Sequence, residues 1–217
     1  MLSGSAHKPF VYRQLVPSLI RSVTAVTPAP LKERISANFG AKYEELIVLF
    51  EWNRSHLYEH ILSLILTFVC FVALAFALRS SIGVFYSFPS FVNDVAPVIG
   101  LLILPVFFRY INYVYDPATL VFFTLALVSL YKRERWWFYV LFVLATLNKE
   151  TSILLIGLFL LREGRLVSAV QTAAHGLAQL AIWGSVRLFL VVTYAANPGS
   201  SMEFHLIDHN LVDCYRN

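Results

Sequence analysis

The chain has 217 residues, 58% of them hydrophobic and 14% charged, with a formal net charge of +4. A soluble domain averages about 25% charged residues, so the composition argues against an ordinary soluble globule and for an all-α, polytopic membrane helix bundle. The basic residues are scattered and form no stripe interleaved with aromatics, which argues against nucleic acid as a partner.

The two cysteines, Cys70 and Cys214, are far apart, and Cys70 reads as a small apolar filler within a membrane helix. No CxxC, HExxH or other metal-ligand spacing occurs, so no metal or cofactor is expected.

Met1–Pro9 is polar and is followed by no apolar run of signal-peptide length. The expectation is a chain that begins outside the membrane or on its surface. From His7 to Thr27, Val11, Leu15, Leu19, Val23 and Val26 recur at steps of three and four, with Arg13 and Arg21 off that stripe. This pattern fits a helix lying on a membrane surface, the other reading being an ordinary amphipathic core helix. Thr27-Pro-Ala-Pro30 ends it. Residues 31–56 are the most polar part of the chain and read as a second interfacial helix or a loop resting on the bilayer. Residues 1–57 thus form an external, amphipathic region. The sequon at Asn53-Arg54-Ser55 is a match common by chance.

Residues 58–195 read as a transmembrane domain of about six passes. The first, Tyr58–Leu78, is closed by Arg79, and residues 80–92 read as an interfacial turn. Val92–Tyr113 follows, interrupted by Pro97, Gly100 and Pro105; it reads as a kinked helix or a discontinuous one lining a site. Ala118–Tyr131, Trp136–Leu147 and Thr151–Leu161 come next, each too short alone for a hydrocarbon core of about 30 Å. They must draw in their polar ends, with lysines and arginines snorkelling, or cross a thinned or protein-filled region. Leu166–Tyr194 is the last span, and residues 196–217 form a polar tail.

Lys132-Arg133-Glu134-Arg135 and Arg162-Glu163-Gly164-Arg165 are the basic turns, which the positive-inside rule places in the cytoplasm. Tyr115-Asp116-Pro117 and Asn148-Lys149-Glu150-Thr151 then face outward. The N-terminal region, with seven Lys or Arg against four Glu, counts toward the opposite orientation; the short loops between closely spaced spans carry more weight.

Asp116 before Pro117 fits a helix N-cap with proline at the first helical position. Its second reading is a carboxylate at the outer face near Arg109, Tyr113 and Tyr115. Lys149 and Glu150 form a charged pair between two apolar runs on that side, either a polar turn or a phosphate or sugar contact. Arg187 lies inside the last span, where an ionisable group is a functional candidate. His175, in the same span, reads as a packing residue.

Tyr115-Asp-Pro-Ala-Thr-Leu, a short span, a basic turn, then Ala145-Thr-Leu-Asn-Lys-Glu-Thr151 resembles a block of multi-pass bacterial glycosyltransferases of the GT-C type. Pro9-Phe-Val-Tyr-Arg-Gln-Leu-Val-Pro17 is similar to a segment of their first external loop. The resemblance covers about a third of the chain. It implies a bacterial inner-membrane protein acting on a polyprenyl-phosphate-linked sugar, with Arg13, Lys149 and Arg187 as phosphate contacts and Asp116 and Glu150 as substrate-binding carboxylates. The family's acidic base has no counterpart before Glu33, which implies a truncated or degenerate relative with no assignable catalytic residue. The alternative is a non-catalytic subunit packing in a larger membrane complex. A transporter is a third option, disfavoured by the lack of an inverted repeat.

Overall fold

The computed structural model describes residue 8, residues 10–107 and residues 113–199, with side chains of residues 105–107 excluded. Arg109, Cys214 and all but the start of the C-terminal tail, for which the sequence carried expectations, lie outside the described residues.

Among the described residues the chain is helical throughout, with no strand. The helices are α1 (Leu15–Val26), α2 (Ala29–Lys42), α3 (Glu44–Leu49), α4 (Leu57–Phe85), α5 (Ser90–Phe107), α6 (Asp116–Tyr131), α7 (Arg135–Asn148), α8 (Ile153–Glu163) and α9 (Ala169–Thr193). Short 3-10 turns at Phe10–Tyr12, Arg54–His56 and Glu150–Ser152 lead into α1, α4 and α8.

Pro28 and Pro30 separate α1 from α2: a proline in the first turn of α2 costs no backbone donor that the helix would use. Ser168 caps α9, its Oγ accepting from the Gln171 N–H at 3.3 Å.

The central helix is α6, packed between α4 and α7. Tyr115 and Ala118 at its start meet Val16 and Ile20 of α1 and Leu62 and Leu66 of α4. At its other end Tyr131 meets Phe85, ring centroids 4.3 Å apart. So α4 and α6 run in the same direction, α7 returns, α8 runs out again and α9 comes back to set Leu190 against Val11 and Tyr12. This up-and-down course gives the bundle two distinct ends, which we call the Tyr115 end and the Tyr131 end. Its main apolar core is aromatic, with Phe138, Phe142 and Phe159 fully buried against Ala126, Leu130 and Leu155.

Two helical stretches, Arg54–Phe85 and Ala169–Thr193, are long and apolar enough to cross a membrane. At 1.5 Å per residue the 29 residues of α4 extend about 44 Å. Only 17% of each apolar window is buried, so most of these surfaces are open. By the same length test α6, α7 and α8, of 16, 14 and 11 residues, are too short to cross unaided. The expected six passes thus reduce, by length and composition, to two.

Two local expectations are corrected. Arg79 does not close the first long helix, which continues to Phe85, because the guanidinium pairs with Asp94 of α5 at 2.6 Å on the helix surface. The turn once expected over residues 80–92 shrinks to the stretch between Phe85 and Ser90. In α1 the side packed on protein is Val16, Pro17 and Ile20, and Leu19, Val23 and Val26 of the apolar stripe stay exposed, which speaks against the reading of that stripe as a core face. The helix is apolar on two sides, and periodicity alone does not say which side meets protein.

Candidate functional site

The joint between α7 and α8 carries the site. Asn148 ends α7, and Lys149 takes an extended conformation while its N–H still donates to the Ala145 carbonyl at 2.8 Å. A 3-10 turn then starts α8. This one extended residue sends the Lys149 and Glu150 side chains to different neighbours. Lys149 Nζ reaches Asp116 Oδ1 at 2.8 Å, at the start of α6. Glu150 reaches the N-terminal segment and α9.

Glu150 accepts a two-pronged bond from Arg13, Nη2 to Oε1 at 2.7 Å and Nε to Oε2 at 3.4 Å. Arg187 Nη1 lies 3.9 Å from Oε2. Trp183 Nε1 donates to the Glu150 backbone carbonyl at 3.3 Å, fixing the turn against α9. Arg13 also donates to the Tyr115 hydroxyl. Its guanidinium stands 4.7 Å from the Tyr115 ring centroid and 5.1 Å from that of Phe10. Lys149 Nζ sits 5.5 Å from the same Tyr115 ring, and Arg187 sits 5.1 Å from the ring of Tyr12. Such cation–ring contacts hold a charge where water is scarce.

The five residues singled out in the sequence, Arg13, Asp116, Lys149, Glu150 and Arg187, therefore form one connected group around Tyr115. They come from four separate parts of the chain. Three cations face two carboxylates, so the group keeps a positive excess. Its side chains range from 11% exposed at Arg13 to 30% at Glu150, half-sheltered rather than sealed.

Asp116 is not the cap expected from its place before Pro117. Tyr115 holds the cap position and no side chain there bonds the helix N–H groups. The carboxylate is drawn instead to Lys149, and its second oxygen accepts from the Tyr113 N–H at 3.3 Å. His175 accords with its packing reading: Nδ1 is 2.8 Å from the Tyr139 hydroxyl and the ring rests against Phe159. Cys70 lies on α4 beside the Tyr115–Ala118 cluster.

Four contributors were not singled out. Asn148 is fully buried and donates from Nδ2 to the Tyr115 carbonyl at 2.9 Å and to Thr119 Oγ1 at 2.8 Å. Gln14 ties the N-terminal segment to α7 through its N–H and the Leu147 carbonyl at 3.0 Å. Tyr12 and Trp183 face Arg187 and Glu150. Asn148 adjoins Lys149 and Tyr12 adjoins Arg13, so adjacency to the charged residues was the one available signal.

Burial by itself raises the Glu150 carboxyl, but the hydrogen bond and charge of Arg13 outweigh it and hold Glu150 below its ordinary value of 4.5. Burial works against the Arg13 charge too, and its bonds to Glu150 and Tyr115 more than compensate, raising it. Burial pushes the Tyr115 hydroxyl well above its ordinary range despite Arg13. At neutral pH the Arg13–Glu150 pair is thus charged on both sides and lies beside a neutral Tyr115 phenol. A carboxylate held this low is a poor proton acceptor, since general bases work best with pKa values near the operating pH. Anion binding suits the geometry better: Arg187 Nη1 is buried without a hydrogen-bond partner among the described groups and can donate to an added oxygen.

Comparison with family models, curated proteins and solved structures finds no match for this chain.

Proposed function

We propose that this chain is a multi-pass membrane protein whose Tyr115 end binds the phosphate of a polyprenyl-phosphate-linked sugar. The carrying observation is that Arg13 and Arg187 meet at Glu150 while Lys149, paired with Asp116, shares the Tyr115 ring with Arg13, so that three half-sheltered cations belong to one connected group. In this reading α4 and α9 cross the bilayer, and the short helices α6 to α8 cross behind them with their polar ends drawn in. Arginine forks match phosphate oxygens in pairs, and Lys149 adds a point charge. Asp116 and Glu150 aim the cations and accept from sugar hydroxyls when the donor is held.

The low pKa of Glu150 and the pairing of Asp116 with Lys149 leave neither free to deprotonate an acceptor. That favours donor binding without a base of its own, and so a binding subunit or a relative of the GT-C enzymes that lacks their usual base. A bacterial inner-membrane location and partner subunits belong to the same proposal.

The test is donor binding by the purified chain in lipid nanodiscs. Lys149→Ala and Asp116→Ala are expected to weaken binding of a polyprenyl-phosphate hexose by about tenfold or more while membrane insertion is unchanged. Unaltered binding in both variants contradicts the assignment.

A further inference from the structure

The Tyr131 end holds a groove that the Tyr115 cluster does not use. It has a volume of about 500 Å³ and lies between α6 and α8. Leu127 and Leu130 form one wall, Leu158 and Leu161 the other. The turn after α8 closes it with Leu166 and brings Arg165 to the rim beside Arg162. The volume falls within the ~300–1,000 Å³ typical of ligand sites.

The charges at this end are disposed differently from those at the other. Glu163 is fully buried and is occupied by Arg135 at 2.6 Å. Arg162 lies 5.0 Å from the Tyr131 ring centroid. Among the described residues neither Arg162 nor Arg165 lies within ion-pair distance of a carboxylate. An apolar slot with two uncompensated guanidiniums at its mouth is complementary to a molecule with a hydrocarbon chain and an anionic head.

We infer that this groove binds an anionic glycerophospholipid, one acyl chain along the leucines and the phosphate between Arg162 and Arg165. The inference rests on the membrane reading above, and it concerns the opposite end from the donor site. Charge complementarity selects the occupant. A neutral or zwitterionic lipid leaves the two guanidiniums with no net counter-charge, whereas a phosphate diester with an uncharged headgroup supplies one. Arg162 is half-buried on Tyr131, so its charge is held at the groove rather than free on a solvated stem.

The test uses the full chain, purified in detergent and mixed with dioleoyl phosphatidylglycerol or dioleoyl phosphatidylcholine. Retained lipid is counted by native mass spectrometry. The expected result is about tenfold greater retention of phosphatidylglycerol, reduced to the phosphatidylcholine level by Arg162→Gln with Arg165→Gln. Leu158→Trp, which narrows the slot and keeps both charges, is expected to lower retention of both lipids. Lys132→Gln with Arg133→Gln, on the neighbouring turn but off the groove lining, is expected to leave the preference intact.

Equal retention of the two lipids by the wild-type chain overturns the proposal. So does an equal loss of preference in the Lys132 and Arg133 variant, which would mark diffuse surface attraction. Release of the wild-type chain from membranes by alkaline carbonate overturns the membrane reading and this inference together. A chain that resists carbonate yet holds both lipids equally overturns this inference alone.

Discussion

Among the described residues the two ends of the bundle arrange their charged side chains in opposite ways. At the Tyr115 end each carboxylate of the group is bonded to a cation, and the cations rest on aromatic rings. At the Tyr131 end one carboxylate, Glu163, is buried with one arginine, and two further arginines, Arg162 and Arg165, stand at the rim of an apolar groove. The first arrangement fixes charge in place. The second leaves charge available at a boundary. Partly buried ion pairs gain little net stability because desolvation offsets their attraction, so a network like that at the Tyr115 end is better explained by orientation of side chains than by stability.

The sharpest way to break the contrast is to remove the carboxylate that two arginines share. Glu150→Gln leaves Arg13 and Arg187 facing each other without a counter-charge and is expected to cost roughly 2–3 kcal/mol, toward the low end for a buried pair because Glu150 is partly exposed. Thermal unfolding of the purified chain measures it. The same variant sharpens a pH argument. Because the folded pKa of Glu150 is depressed, its contribution is fully present above the ordinary value of 4.5 and is lost as pH falls through the lowered folded value. Wild-type stability is therefore expected to fall on acidification below about pH 4.5, with a smaller fall in Glu150→Gln.

Next in size is Asn148→Ala. It removes two donated bonds, to the Tyr115 carbonyl and to Thr119, and is expected to cost about 2 kcal/mol. Donor binding should weaken with it, because Tyr115 is the ring against which Arg13 and Lys149 are placed. Asp116→Ala is expected to cost about 1 kcal/mol, the value of a partly exposed pair and one backbone bond. A true helix cap would have cost a similar amount, so the deciding readout is Lys149: Lys149→Ala should have no further effect on stability in the Asp116→Ala background. Smallest of all, Arg162→Gln at the other end is expected to change stability by less than about 0.5 kcal/mol, since it breaks no ion pair.

The all-helical class and most helix boundaries are legible in the sequence. Helix ends fell near polar punctuation because an apolar helix that reaches Lys132 or Asn148 has exhausted its buried face. The five charged candidates stood out for the same reason, as rare charges among apolar runs. What the sequence did not carry was who meets whom. Arg13 and Glu150 are 137 residues apart, and no local rule couples them. Asp116 reads from sequence either as a helix cap, because Asp-Pro at a helix start usually means one, or as a carboxylate at that end; its tertiary partner Lys149 draws its oxygen away from the helix. The protein-facing side of α1 was also not legible. Val16 and Ile20 pack on α4 and α6 while Leu19, Val23 and Val26 stay open, and the two sides are equally apolar, so hydropathy does not tell them apart.

The central claim is that the Tyr115 end recognises phosphate. Its most direct test is equilibrium binding of a polyprenyl-phosphate hexose and of the matching phosphate-free polyprenol to the wild-type chain and to Arg187→Gln, in nanodiscs of neutral lipid. The account predicts binding of the phosphate-bearing lipid alone, weakened by about tenfold or more in Arg187→Gln. Equal binding of both lipids, or an Arg187→Gln protein that binds the phosphate-bearing lipid as well as wild type, would contradict it.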